Sequence, residues 1–278
     1  MASGTLTLSH SSELDLDATL ASGQIFRWNQ DSEGIWSGWH GSKFLRLQQN
    51  DLTLYWEGLS EAVVRDFLRL DDIDLAAHAE TWVKVDPAFA EAWALQSGVR
   101  ILRQDPHGCF FSFLCAANAN IPRIGQMIAA FAPPGGPFPP ATTIAQLSEA
   151  TLRARGLGFR APRVEAAAKA LGAQPEDTLT TLRGKPLEEI QTVLTAHNGI
   201  GRKIADCIAL FSLDADSAVP VDTHIWQISC ALYTPELKGK SLTPANYQSV
   251  VDAFHARFGE KAGWAQQILF YRRAIGKD

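Results

Sequence analysis

The stretch Leu194–Trp226 reads LTAHNGIGRKIADCIALFSLDADSAVPVDTHIW. It predicts a helix over 186–196 and a second over 203–213, joined by the turn Asn198-Gly199-Ile200-Gly201. Glycine on both sides of one apolar residue allows a tight hairpin whose backbone approaches a ligand closely. The second helix begins directly after the turn, so its unpaired N–H groups and the positive end of its dipole point outward there. Such an end suits an anion, and a phosphate fits without needing side-chain charge. Lys203 opens that helix. Asp222 follows nineteen residues later and is placed as the N-cap of a helix running to Leu232.

Outward from this segment the chain is helical in both directions. Asp105-Pro106 pairs an N-cap with proline at the first helical position and opens an apolar run to Cys115. Helices are expected over 121–131, from a Ser148 cap to a stop at Gly156, over 160–171, and over 263–275. Residues 132–141, APPGGPFPPA, are too proline-rich for a helix and read as a stiff connector. The first 60 residues differ. Thr5–Leu8, Gln24–Trp28, Lys43–Leu47 and Leu52–Trp56 alternate apolar with polar residues between Gly, Asn and Asp, which predicts an antiparallel sheet. Trp28, Trp36, Trp39 and Trp56 are expected to pack on it.

Composition narrows the class. The 278 residues are 46% hydrophobic and 20% charged, enough to bury a core and too ordered in pattern for a disordered chain. No apolar run of about 18 residues is present, so no membrane-spanning helix is expected. The segment Met1–His10 has neither a basic nor an apolar leader region, so no secretory signal is expected, and the protein is expected in the cytoplasm if its source is prokaryotic. Cysteines 109, 115, 207 and 230 are spaced by 6, 92 and 23 residues, which fits neither a disulfide scaffold nor a zinc or iron–sulfur pattern. The net charge of −5 is uneven: residues 1–99 hold 6 basic and 15 acidic side chains, and 100–278 hold 19 and 15. An acidic front and a mildly basic back leave room for a local positive face toward nucleic acid.

With its Lys-then-Asp pairing, the hairpin segment resembles the helix-hairpin-helix of the base-excision DNA glycosylase superfamily, in the branch with lyase activity. Four further blocks resemble the eukaryotic-type 8-oxoguanine DNA glycosylase family. They are Ser22–Trp28, Arg103–Pro106 with Asn118–Ile124, Gly156–Ala161, and Ala262–Gln266 with Phe270. The blocks fall in the family's order and span residues 22 to 270. The resemblance implies an α+β protein with a β-rich N-terminal domain, 1–98. A helical domain, 99–222, would carry the hairpin at about 194–213. A C-terminal helical domain, 223–278, would pack with helices from about 60–104. A cleft between the helical domains would take a flipped base.

The implied activity is removal of 8-oxoguanine opposite cytosine from duplex DNA, followed by β-elimination at the abasic site. Breaking an N-glycosidic bond builds positive charge on the sugar, and a nearby ionised carboxylate, Asp222, stabilises it. The amine of Lys203 would attack C1′ and form a Schiff base, for which it must be partly neutral; a low-dielectric cleft and a helix N-terminus both favour that. By resemblance, the Gly23 carbonyl senses the lesion's N7–H, where normal guanine presents a lone pair instead. Gln266 reads the base's Watson–Crick edge, and Phe270 and Cys207 sandwich its ring. Lys203 and Cys207 are four residues apart, so they share a helix face whatever the family. Asn118, Arg123 and Arg160 match residues gripping the orphaned cytosine, and Phe159 an aromatic wedge. Gly199, Ile200, Gly201 and His224 match contacts to the DNA backbone. The carbonyls of Thr195, His197 and Ile200 match a structural site for a monovalent or calcium ion. No catalytic cofactor and no iron–sulfur cluster are implied, and a monomer is expected.

Five positions depart from the family pattern. His197-Asn198 precedes Gly199 where an aliphatic residue and proline are more usual; Asn tolerates turn geometry. Ile25 replaces a small polar residue. Arg202 adds positive charge before the lysine. Arg273 stands where an acidic residue could pair with His224. Two other readings compete. An alkylated-base glycosylase of the same fold relies on the aspartate alone, which Lys203 disfavours. A non-catalytic hairpin protein that only binds DNA would not need Lys203, Asp222, Gly23 and Gln266 together.

Overall fold

The structure, a computed structural model, describes residues 2–274; the expected end of the last helix at Ile275 lies outside them. Five strands, β1 (Ala2–Thr7), β2 (Asn29–Gln30), β3 (Trp36–His40), β4 (Lys43–Asn50) and β5 (Thr53–Gly58), form one antiparallel sheet in the order β1-β5-β4-β3-β2. Its register explains its tryptophans. Trp36 faces Leu47, Leu47 faces Trp56, and Trp56 faces Gly4. A Cβ on Gly4 would fall 2.5 Å from the Trp56 ring, and one on Gly38 would fall 2.4 Å from Trp28. Each indole therefore lies over a glycine that leaves it room. Trp28 also stacks on Phe67, ring centroids 5.3 Å apart. Trp28, Trp36 and Trp56 are buried, and Trp39 is half-buried against Phe44.

The expected strand over Gln24–Trp28 is absent. Gly23 turns the chain with φ +79°. The Gln24 side chain is fully buried; its amide N–H groups donate to the carbonyls of Thr19 and Arg100 and to the Ser22 hydroxyl, and its oxygen accepts from Leu102 N. Gln104 Nε2 donates 2.8 Å to the Gln24 carbonyl. Hydrogen bonding here is met by side chains rather than by a ladder, so apolar alternation did not produce a strand. Trp36–His40 takes the sheet position instead.

The helices are α1 (Leu16–Ala21), α2 (Glu61–Phe67), α3 (Leu75–Val85), α4 (Pro87–Leu95), α5 (Pro106–Leu114), α6 (Ile121–Ala129), α7 (Ala141–Ile144), α8 (Glu149–Ala154), α9 (Ala161–Gly172), α10 (Leu187–Thr195), α11 (Arg202–Ser212), α12 (Thr223–Leu232), α13 (Pro244–Phe258) and α14 (Ala262–Ala274). Their starts follow the cap rule. Asp105 accepts from Gly108 N, Asn120 from Arg123 N, Ser148 from Thr151 N and Asp222 from Ile225 N, at 2.8 to 3.2 Å. The chain is α+β. One core lies under the sheet and takes in Phe67, Leu68 and Leu102. The larger one is helical and centres on α11, whose residues Ile204–Ser212 are all buried. Early helices join late ones: Phe89 of α4 and Trp82 of α3 both pack on Phe258 of α13, at ring distances of 5.7 and 6.0 Å. No helix among the described residues is long and apolar enough to cross a membrane.

Candidate active site

The hairpin forms as its glycines require. His197 N donates to the Leu194 carbonyl and Ile200 N to the His197 carbonyl, closing the turn after α10. Gly199 has φ +93°, and a Cβ there would fall 2.3 Å from Arg163 Cδ, so only glycine fits. Gly201 caps α11 without a side chain, and space around it is open. The first N–H groups of α11 are thus left to an external acceptor. No N–H in the hairpin donates to the carbonyl oxygens of Thr195 or Ile200. With His197 these are hard main-chain oxygens, a donor set that fits a monovalent or calcium ion.

Lys203, Cys207 and Phe211 recur every fourth residue on α11, and all three line one pocket with Asp222, Gly23, Gln266 and Phe270. The space between its walls is about 330 Å³, part of it open to solvent. Lys203 Nζ stands 5.9 Å from the Phe113 ring centroid. Burial pushes the Cys207 thiol up to about 11, against the neighbouring Lys203 charge, which pulls it down. The thiol is therefore neutral at physiological pH and acts as a soft apolar wall. Asp222 Oδ1 accepts the Ile225 N–H at 2.8 Å, which aims one oxygen at the helix and leaves the other for the pocket.

The third wall is α14, seated by close approach. A Cβ on Gly263 would fall 2.5 Å from both the Ala218 carbonyl oxygen and Leu210 Cδ1. From this helix Gln267 Nε2 donates 3.1 Å to the Ser22 carbonyl and fixes the loop that presents Gly23. Gln266 is buried, yet its Oε1 has no hydrogen-bond partner. A buried amide oxygen left unpaired costs about 1–3 kcal/mol, and a ligand N–H entering the pocket would relieve it. The His224 ring meets Phe270 edge-on, centroids 5.8 Å apart. Arg273 reaches Gln227 Oε1 at 3.5 Å rather than His224.

A second cluster brings together the other four expected residues. Arg160 Nη2 donates to the carbonyls of Ala117 and Asn118, and Asn118 itself is left-handed at φ +52°. Arg123 Nη2 donates 2.6 Å to the Gly156 carbonyl. Phe159 is 48% exposed, with the guanidinium carbons of Arg160 and Arg163 at 4.2 and 5.1 Å from its ring centroid. Sequence reasoning missed Phe113, Phe211, Pro220 and Gln267 as pocket walls. Phe211 was within reach, being one more step of four beyond Lys203 and Cys207.

Behind the lysine, Asp206 is 1% exposed. Burial pushes its carboxyl up to about 6, although Tyr247, Gln191 and Arg202 all favour the charged form. The unfolded value is about 3.9, so the folded chain binds more protons in between and stability through this group falls as pH rises from about 4 to 6. The loss is on the order of 3 kcal/mol. Urea unfolding of the parent and Asp206→Asn at pH 4.5, 6 and 7.5 should show the parent losing about 2 kcal/mol relative to the variant as pH rises across this range. A difference constant with pH would refute it.

A hairpin built for phosphate, an amine and a carboxylate on one pocket, and an unpaired amide oxygen above them make a site for cleaving a base from nucleic acid. Comparison with known proteins agrees. Residues 6–110 match the family model for the 8-oxoguanine DNA glycosylase N-terminal domain. N-glycosylase/DNA lyase OGG1 of Arabidopsis thaliana is 38% identical over 288 residues, covering 95% of this chain and 78% of that protein. A solved structure of MBOgg1 in complex with a low-affinity DNA ligand superposes with TM-score 0.86 at 28% identity, over 100% of this chain and 97% of that one. The Clostridium acetobutylicum 8-oxoguanine glycosylase/lyase bound to duplex DNA with cytosine opposite 8-oxoG gives TM-score 0.81 at 25% identity, covering 93% and 91%. The chain belongs to the 8-oxoguanine DNA glycosylase/DNA lyase family of the helix-hairpin-helix superfamily.

Proposed function

We infer that this chain excises 8-oxoguanine opposite cytosine from duplex DNA and then cleaves the strand by β-elimination. The observation that carries the reading is the convergence of Lys203 and Asp222 on the pocket where Gln266 Oε1 is unpaired. Lys203 Nζ attacks C1′ while the C1′–N9 bond breaks and its electron pair leaves with the base. Asp222 stabilises the positive charge that develops on the sugar. The aminal so formed loses a proton from nitrogen as the C1′–O4′ bond breaks and O4′ takes up a proton, opening the sugar to an imine; that imine acidifies C2′–H, and loss of this proton expels the 3′-phosphate. Gln266 Oε1 accepts N–H from the guanine edge, Phe270 and Cys207 enclose the ring, and the Gly23 carbonyl accepts the N7–H unique to the lesion. Among the described residues no hydrogen bond reaches that carbonyl, which keeps it available.

Asn118, Arg123 and Arg160 hold the orphaned cytosine, with Phe159 as the wedge beside it. Gly199, Ile200, Gly201 and His224 contact the DNA backbone. Main-chain oxygens of Thr195, His197 and Ile200 hold the structural cation, and no cofactor takes part in catalysis. We assign the domains as 1–98, 99–222 and 223–278, and place the protein, as a monomer, with chromosomal DNA in the cytoplasm if its source is prokaryotic. The test is borohydride trapping on duplexes carrying 8-oxoguanine opposite each of the four bases. A covalent adduct strongest opposite cytosine is expected. Free base without adduct would leave Asp222 alone as the chemical group, and neither product would overturn the assignment.

A further inference from the structure

Asp206 lies on α11 between Lys203 and Cys207 but is not a wall of their pocket. Its two oxygens are spoken for from different directions. Gln191 Nε2 of α10 donates 2.6 Å to Oδ1, and the Tyr247 hydroxyl of α13 donates 2.6 Å to Oδ2. On α11 itself, Arg202 Nε lies 3.9 Å from Oδ2. The Tyr247 hydroxyl in turn accepts the Val221 N–H at 3.0 Å and lies 3.2 Å from the Val219 carbonyl. A phenol has one proton, and the carboxylate at 2.6 Å holds it. Pro220, between the two valines, has no N–H to offer. Val221 N–H is therefore the nearest main-chain donor ahead of Asp222 through which this segment can be tied down.

We propose that Asp206 and Tyr247 are positioning residues: they tie the Val219–Val221 main chain to the lysine-bearing helix, and so fix where the Asp222 carboxylate stands relative to the Lys203 amine. The proposal rests on the excision chemistry inferred above. Its physical basis is the mismatch between what the pair costs and what packing needs. A carboxylate this deeply buried is unfavourable unless fully hydrogen-bonded, and a hydrophobic pair of similar volume would pack the helices as well. What the polar pair adds is direction. It links α10, α11, α13 and the approach to Asp222 by bonds with defined angles. A misplacement of about 1 Å at a reacting group costs about 10²-fold in rate.

Tyr247→Phe tests this without emptying the core. The ring stays, as does its contact with the Arg202 guanidinium, now 4.7 Å from its centroid; only the hydroxyl is lost. Single-turnover excision from an 8-oxoguanine:cytosine duplex should fall about 10- to 100-fold, and Asp206→Asn should behave alike. Affinity for a duplex carrying a non-cleavable abasic-site analogue should stay within about threefold, so the loss appears in chemistry and not in binding. In an Asp222→Asn background, Tyr247→Phe should add less than about twofold, because it acts through the group already removed. Excision at the parent rate in Tyr247→Phe would overturn the proposal. So would an equal loss in both backgrounds, or a loss of binding in step with excision. Parent protein that neither releases base nor traps an adduct would overturn the underlying reading, and the positioning role with it.

Discussion

Lys203→Gln should yield no borohydride-trapped adduct and should release 8-oxoguanine at least about 10³-fold more slowly than the parent chain, while binding the lesion duplex within about threefold. Lys203 is the one lysine lining the pocket among the described residues. Glutamine keeps most of the stem that packs toward Phe113 and loses only the nucleophile and its charge. Helix α11 is held by its buried face, Ile204 to Ser212, so the substitution at its first turn leaves the fold intact. The measurement is a single-turnover time course with and without borohydride, beside a binding titration. An undiminished adduct would mean that another amine attacks C1′. Loss of binding with excision intact would remove Lys203 from the chemistry.

Asp222→Asn should slow excision about 10²- to 10³-fold and leave the melting temperature within about 2 °C. Aspartate at this position does two jobs that the substitution separates. As a cap, its Oδ1 accepts the Ile225 N–H at 2.8 Å, and asparagine caps a helix equally well. As a charge, in the reaction proposed above, it faces a sugar that becomes cationic as the base departs, and a neutral amide cannot take its place. Asp222→Ala loses both functions and should cost about 1 kcal/mol of stability as well. Thermal unfolding and single-turnover excision on the two variants together check the separation. If Asp222→Asn excises at the parent rate, the carboxylate serves only the helix.

What was legible in the sequence was local. Asp105-Pro106, Ser148 and Asp222 announce helix starts because a cap is decided within four residues. The hairpin was legible because only glycine takes the Gly199 conformation against Arg163. Thr243-Pro244 carries the same signal as Asp105-Pro106, and α13 could have been placed from it. What escaped depends on distant partners. Gln24 looks like one polar residue in an alternating strand, but Arg100 and Leu102, more than seventy residues on, decide its conformation. Phe113 and Gln267 reach the pocket only through packing of α5 and α14. Asp206 shows nothing in its neighbours that predicts Tyr247, 41 residues away.

The Phe159 ring projects to solvent between two guanidiniums, 4.2 and 5.1 Å from its centroid. Arg160 is itself pinned to main-chain carbonyls, and the stem of Arg163 is pressed against the hairpin glycine. A free phenylalanine would have to surrender rotamer freedom worth about 0.5–1.5 kcal/mol each time it entered a base stack. On the wedge role proposed above, the two guanidiniums would restrict that freedom before the ring meets DNA. An enzyme scanning a long run of sound base pairs repeats the same probe at every step, so a saving per step multiplies along the genome. On that proposal, the guanidinium contacts of one aromatic side chain bear on search speed, a property separate from how fast any lesion is removed once found.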